Sequence, residues 1–139
     1  MNEQVGEFEI TGWSEQPDDT ITVYAKGVTP SPPFNGTITA HVLRRAIPRY
    51  MRLPCVREMH DASRAVGKML KFSPLMLVAH IVDPIAVQKV KRGVYTRLEI
   101  GGRVRKRDDR VIQDIDLTEV SLVDRIDGSC LRAVSEIEA

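Results

Sequence analysis

The sequence predicts an α+β fold, a small antiparallel β-barrel with packed helices. Three observations predict it. About seven stretches alternate apolar with polar residues, or are densely apolar and β-branched, between turn-forming segments. Only two stretches carry helical spacing. The strands follow one another in runs rather than alternating with helices, which favours antiparallel neighbours. The 139 residues suit one domain, 1–139, with its own core, and an apolar content of 42% supplies that core.

EFEITGW (Glu7–Trp13) alternates and reads as a strand, EQPDDT as a turn, and TITVYAKGV (Thr20–Val28) as the strand that pairs back. TPSPPFNG is too rich in proline to be a central strand or a helix, so it is expected to be an ordered loop. AHVLRRAIPRYM then places Val42, Leu43, Ala46, Ile47, Tyr50 and Met51 at helical spacing, capped by Thr37 or Thr39. Arg44, Arg45 and Arg49 form its solvent face, and Pro48 predicts a kink or an early end near Ile47. LPCVREMHD leads into two strands, RAVGKMLKF (Arg64–Phe72) and LMLVAHIVD (Leu75–Asp83). DPIAVQKVKRG is a short helix with Asp83 as N-cap, Pro84 as first residue and Gly93 as stop. VYTRLEI (Val94–Ile100) is a strand running into the double glycine Gly101–Gly102, and GGRVRKRDDR carries the chain round. VIQDIDLTEVSLV is one long strand or two, and CLRAVSEI a short final one.

A net charge of +1 gives no global pull toward nucleic acid or an anionic membrane. The basic run Arg103 to Arg110 is broken by Asp108 and Asp109 and reads as a solvated hairpin tip; a patch for nucleic acid or an acidic partner is the minor reading. The longest apolar run, PLMLVAHIV, is strand-sized, so no membrane partner is expected. The acidic start MNEQVGEFEI lacks the apolar core of a signal peptide. Cys55 and Cys130 make neither a disulfide framework nor a metal spacing, and reduced thiols in a cytosolic protein are expected.

Chemistry concentrates in a few residues. His41 lies on the first helix, and His80 sits in an apolar strand as a satisfied core or near-core histidine. His60, in REMHDASRAVG, stands at a strand edge among acidic residues, where an imidazole is either a general base or a hydrogen-bonded turn residue. In IDLTEVSLV strict alternation puts Ile115, Leu117, Glu119, Ser121 and Val123 on one face. A carboxylate among apolar neighbours needs a partner. Glu119 is therefore either a structural salt bridge to an arginine or the orienting carboxylate of a histidine.

MHDASRAVGK, AHIVDPIAVQKVKRGVY, LEIGGRV and IQDIDLTEVSLVDR, in that order, resemble the tailed-phage prohead proteases. These are capsid-maturation serine peptidases related to the herpesvirus assemblins, and the prophage-type branch is the nearest in pattern. The resemblance runs from about Glu7 to Arg125 and implies an antiparallel barrel wrapped by helices. It implies His60 as the catalytic histidine and Glu119 as the acidic member. The family's nucleophilic serine belongs to a motif like F-S-I-G-G; here the motif is L-E-I-G-G, with Glu99 in the serine's place. An ionised carboxylate is a poor nucleophile toward an amide, and loss of a triad nucleophile removes a rate factor on the order of a million. Family-type peptidase activity is therefore expected to be absent. R-I-D-G-S-C, where the family carries a P-A-N-P turn, and TPSPPFNG are further departures.

Ser121, Ser129 and Cys130 are the candidates for a relocated nucleophile. Glu99, His60 and Glu119 together also suit a divalent ion, although no ligand spacing supports one. The leading expectation for Glu99 is an ion pair or hydrogen bond to His60, or to an arginine such as Arg97. No cofactor is implied. The resemblance implies an oligomeric virion protein, assembled in the host cytoplasm and bound to the major capsid protein as decoration, cement or assembly factor. The alternative is an active maturation peptidase with a relocated nucleophile. The tip Arg103–Arg110 and the loop Pro30–Pro33 are the exposed candidates for the contact face.

Overall fold

Apolar–polar alternation carries the chain into strands wherever it occurs. The computed structural model describes residues 3–27 and 37–124. Its elements are β1 (Glu3–Glu15), β2 (Ile21–Gly27), β3 (Thr37–Ile38), α1 (Ala40–Tyr50), β4 (Cys55–Glu58), β5 (Asp61–Phe72), β6 (Met76–Ile81), α2 (Pro84–Lys91), β7 (Arg97–Asp108) and β8 (Val111–Val123). The proline-rich loop at Pro30–Pro33, Ser129, Cys130 and the expected strand CLRAVSEI lie outside the described residues.

Seven strands close into a barrel in the order β8, β4, β5, β6, β2, β1, β7 and back to β8. The barrel is not wholly antiparallel, as the sequence had suggested. Strand direction must flip an even number of times around a ring, so an odd ring contains at least one parallel joint. Here the joint is β4–β8, held by Arg57 opposite Ser121 and Glu58 opposite Leu122. β3 adds a second short parallel pairing at the start of β8. Both β3 and β4 are too short to show a period, and the sequence reading missed them.

The core fills the barrel with side chains such as Ile21, Val23, Val56, Met69, Leu77, Ile81, Leu98, Ile100, Val120 and Leu122. α1 lies against β8 and buries Val42, Leu43, Ala46, Ile47 and Tyr50. Tyr50 and Phe8 meet Phe72 edge to face, with ring centroids 5.7 and 5.8 Å away. Thr39 caps α1, its hydroxyl accepting from the Val42 N–H at 3.3 Å. The helix does not end near Ile47 but continues through Pro48 to Tyr50. Pro48 falls in the last turn on the exposed face with Arg44. The one helical bond it removes is that to the Arg44 carbonyl, on the side that water reaches. α2 follows its sequence signals: Asp83 accepts from the Ala86 N–H at 2.9 Å, Pro84 opens the helix, and Gly93 ends it at φ 73°.

β7 and β8 differ most from expectation. The chain does not turn at the double glycine; β7 continues to Asp108, and the hairpin turns only at Asp109, whose φ is 55°. Gly101 faces Glu119 but Gly102 faces Leu117, so Thr118 is an extra residue, a β-bulge. A bulge reverses the alternation beyond it. Ile115 and Leu117 therefore share the core with Val120 and Leu122, while Glu119 and Ser121 turn to the opposite face. The single apolar face from Ile115 to Val123 expected from strict alternation does not exist.

Candidate functional site

Glu99 lies between Leu98 and Ile100, which point into the core, so it faces outward from the barrel. Across the sheet its neighbours are Glu7 on β1 and Ser121 on β8. All three are buried, Glu99 and Ser121 completely. The turn between β4 and β5 folds over this row. Glu58 pairs with Asp61, leaving Met59 and His60 as a two-residue loop, both left-handed, at φ 51° and 59°. That is the signature of a type I′ turn, normally built from Asn and Gly. Two ordinary L-residues there cost on the order of 1–3 kcal/mol each, and such strain concentrates at functional positions.

The strained turn sets His60 between two carboxylates. Its Nε2 lies 2.6 Å from Glu99 Oε1, and its Nδ1 hydrogen-bonds Glu119 Oε2. Ser121 Oγ donates to the same Glu119 oxygen at 2.9 Å, and Gln4 also bonds Glu119. Burial pulls the imidazole toward neutrality, but hydrogen bonds to Glu119 and Glu99 outweigh it and push its pKa up to about 9. His60 is thus an imidazolium at neutral pH, donating from both nitrogens. Burial pushes the Glu119 carboxyl upward, yet the bonds from His60 and Ser121 hold it below the ordinary carboxylate range.

Neighbouring pairs stiffen the arrangement. Arg97, two residues from Glu99 on β7, stands 3.5 Å from the buried carboxylate of Glu7. Buried Glu58 accepts from Arg64 Nε and Nη2 at 2.9 and 2.7 Å, and from the Tyr95 hydroxyl at 2.5 Å, which anchors the hairpin that carries His60. Sequence reading missed Glu7, Glu58 and Tyr95, because nothing in a linear pattern states which strands become neighbours. His41 is exposed, and His80 is satisfied by Thr20 Oγ at 2.8 Å, as expected of a near-core histidine. Glu99 and Glu119 occupy opposite nitrogens of one ring instead of converging on a point. Among the described residues no group of three or more potential ligands is arranged to hold a metal ion. No helix among them is long and apolar enough to cross a membrane.

The cluster makes stability depend on pH. The His60 pKa is raised from 6.5 to about 9, so its contribution is complete below 6.5 and lost as pH rises through 9. The Glu119 pKa is lowered from 4.5, so its contribution is present above 4.5 and lost as pH falls through the folded value. Stability from the cluster is therefore greatest between about 4.5 and 6.5. Urea unfolding should show a loss on the order of 2–3 kcal/mol between pH 6 and 9.5, and His60→Gln should flatten that slope. A slope unchanged by the substitution would assign the pH dependence to other groups.

No family model, curated protein or solved structure matches this chain.

Proposed function

We propose that the chain is a structural protein of a tailed-phage virion, built on a catalytically inactive prohead-protease fold. It binds the major capsid protein, as an oligomer, in a decoration, cement or assembly role.

One observation carries this reading: Glu99 Oε1 stands 2.6 Å from His60 Nε2, where an acyl-transfer triad needs its nucleophilic hydroxyl, while Glu119 holds Nδ1 as the orienting acid would. A carboxylate in that place cannot supply the attacking oxygen for family-type cleavage. It also keeps the imidazole protonated, so the group that should act as base has no vacant nitrogen at neutral pH. Ser121, the hydroxyl nearest the cluster by sequence, is fully buried and donates to Glu119 rather than to His60. This weakens the alternative of a maturation peptidase with a relocated nucleophile. The geometry suits a retired catalytic centre whose ion pairs now serve the fold, and the sequence resemblance connects that centre with capsid assembly.

The deciding experiment is quantitative mass spectrometry of purified particles from the phage that encodes the chain. Intact protein in a fixed, high ratio to the major capsid protein is expected. Its absence, or recovery only as fragments, would overturn the structural role in favour of processing.

A further inference from the structure

We propose that the groove between α1 and the distal half of the β7–β8 hairpin binds an acidic segment of a partner polypeptide. The inference is independent of the reading of the His60 cluster, which lies toward the other end of the same hairpin.

The groove follows from how α1 is seated. Its apolar side packs on β8, so its arginines project along the helix rim. Opposite them the hairpin presents Arg103, Arg105 and Lys106. Two adjoining clefts result, sharing Arg45 and Asp114, the larger of about 520 Å³.

Charge identifies the occupant. Asp116 receives Arg49 at 2.8 Å, Arg105 at 2.7 Å and Arg103 at 3.5 Å. One carboxylate thus serves three guanidiniums. Arg45 adds a fourth, held in place by a 2.8 Å bond from Nη2 to the Gln113 carbonyl, and exposed Lys106 adds an ammonium. With Arg107 and Glu3 at the edge of the hairpin, six cations stand against Asp114, Asp116 and Glu3 among the described residues, an excess of three in a chain whose net charge is +1. Guanidiniums already fixed in place bind a further carboxylate with little ordering cost. Between the charges the 43% exposed Val111 offers an apolar contact, with Val42 and Ile112 almost wholly buried beneath it. A ligand with carboxylates flanking an apolar side chain matches both features.

Nucleic acid fits less well. Among the described residues no aromatic side chain lines the clefts to stack a base. Asp114 in the groove, with Asp108 and Asp109 at the hairpin end, would oppose a phosphate backbone.

The test is fluorescence anisotropy on the full chain. The probes are a dye-labelled peptide of Glu and Asp around a central Leu, the same peptide with Lys for its acids, and a short labelled DNA duplex. The acidic peptide should bind, the basic one should not, and affinity should fall about tenfold as salt rises from low to physiological strength. Arg45→Gln with Lys106→Gln should weaken binding about tenfold without moving the unfolding midpoint. If that pair disturbs folding, Lys106→Glu alone, on the exposed hairpin, should weaken it in the same direction. Failure of the acidic peptide to bind at low salt, or affinity unchanged by these substitutions, would overturn the proposal. Tighter binding of the duplex would reassign the groove to nucleic acid.

Discussion

His60→Ala should destabilise the protein by about 3–5 kcal/mol in urea unfolding at neutral pH, the cost of removing one partner from a buried ionic cluster. The loss is not that of a single hydrogen bond. Glu99 is wholly buried and Glu119 nearly so, and the imidazolium is the cation that joins them. Without it, two carboxylates stay close together in a poorly solvated place. Glu99→Gln should cost less, about 1–2 kcal/mol, because a neutral amide still accepts from Nε2. The two substitutions should be strongly non-additive, the double variant being more stable than the sum implies, since removing Glu99 relieves the repulsion that loss of His60 creates. A cost below about 1 kcal/mol would mean that the cluster is solvated and that its ion pairs do little.

Gly102→Ala should be comparably severe, costing about 3 kcal/mol or more. A Cβ there would stand 2.0 Å from the Asp116 carbonyl oxygen, 2.8 Å from its carbon and 2.9 Å from Leu117 Cα. Every one of these atoms is backbone, so no rotamer change relieves the clash, and overpacking of this kind moves the chain itself. The position adjoins the Thr118 bulge, which turns Glu119 toward His60 and Ser121 toward Glu119. Displacement there should weaken the pH dependence together with the stability. Gly12→Ala is the matched control: nothing lies within 4 Å of its Cβ, and a change within about 0.5 kcal/mol is expected. Similar losses at both positions would mean that the β7–β8 contact is slack.

The helices and hairpins were readable because their signals are local. Asp83, Pro84 and Gly93 bracket α2 within a dozen residues, and the β1–β2 pair is announced by alternation on both sides of a Pro–Asp turn. The bulge was not readable. It inserts one residue into a strand whose pattern looks regular, and it changes which side chains meet the core. The double glycine misled for a related reason, since it marks close backbone approach within a continuing strand rather than a turn. His60, Glu99 and Glu119 could be named as a set from motif order. That His60 stands on a left-handed turn, and that Glu7 and Ser121 flank Glu99, depends on the order of strands around the ring.

The parallel joint has a consequence for time rather than for energy. β4 and β8 are far apart in the chain and meet through two residue pairs, whereas the hairpins β1–β2, β5–β6 and β7–β8 join near neighbours. Local pairings form early and long-range closure late. The bonds from His60 to Glu99 and Glu119 span this seam, so they are expected to form only once it has closed. Interactions of that kind leave the folding rate nearly unchanged and slow the reverse process. The cluster is therefore expected to act as a latch that sets how long a closed barrel stays closed.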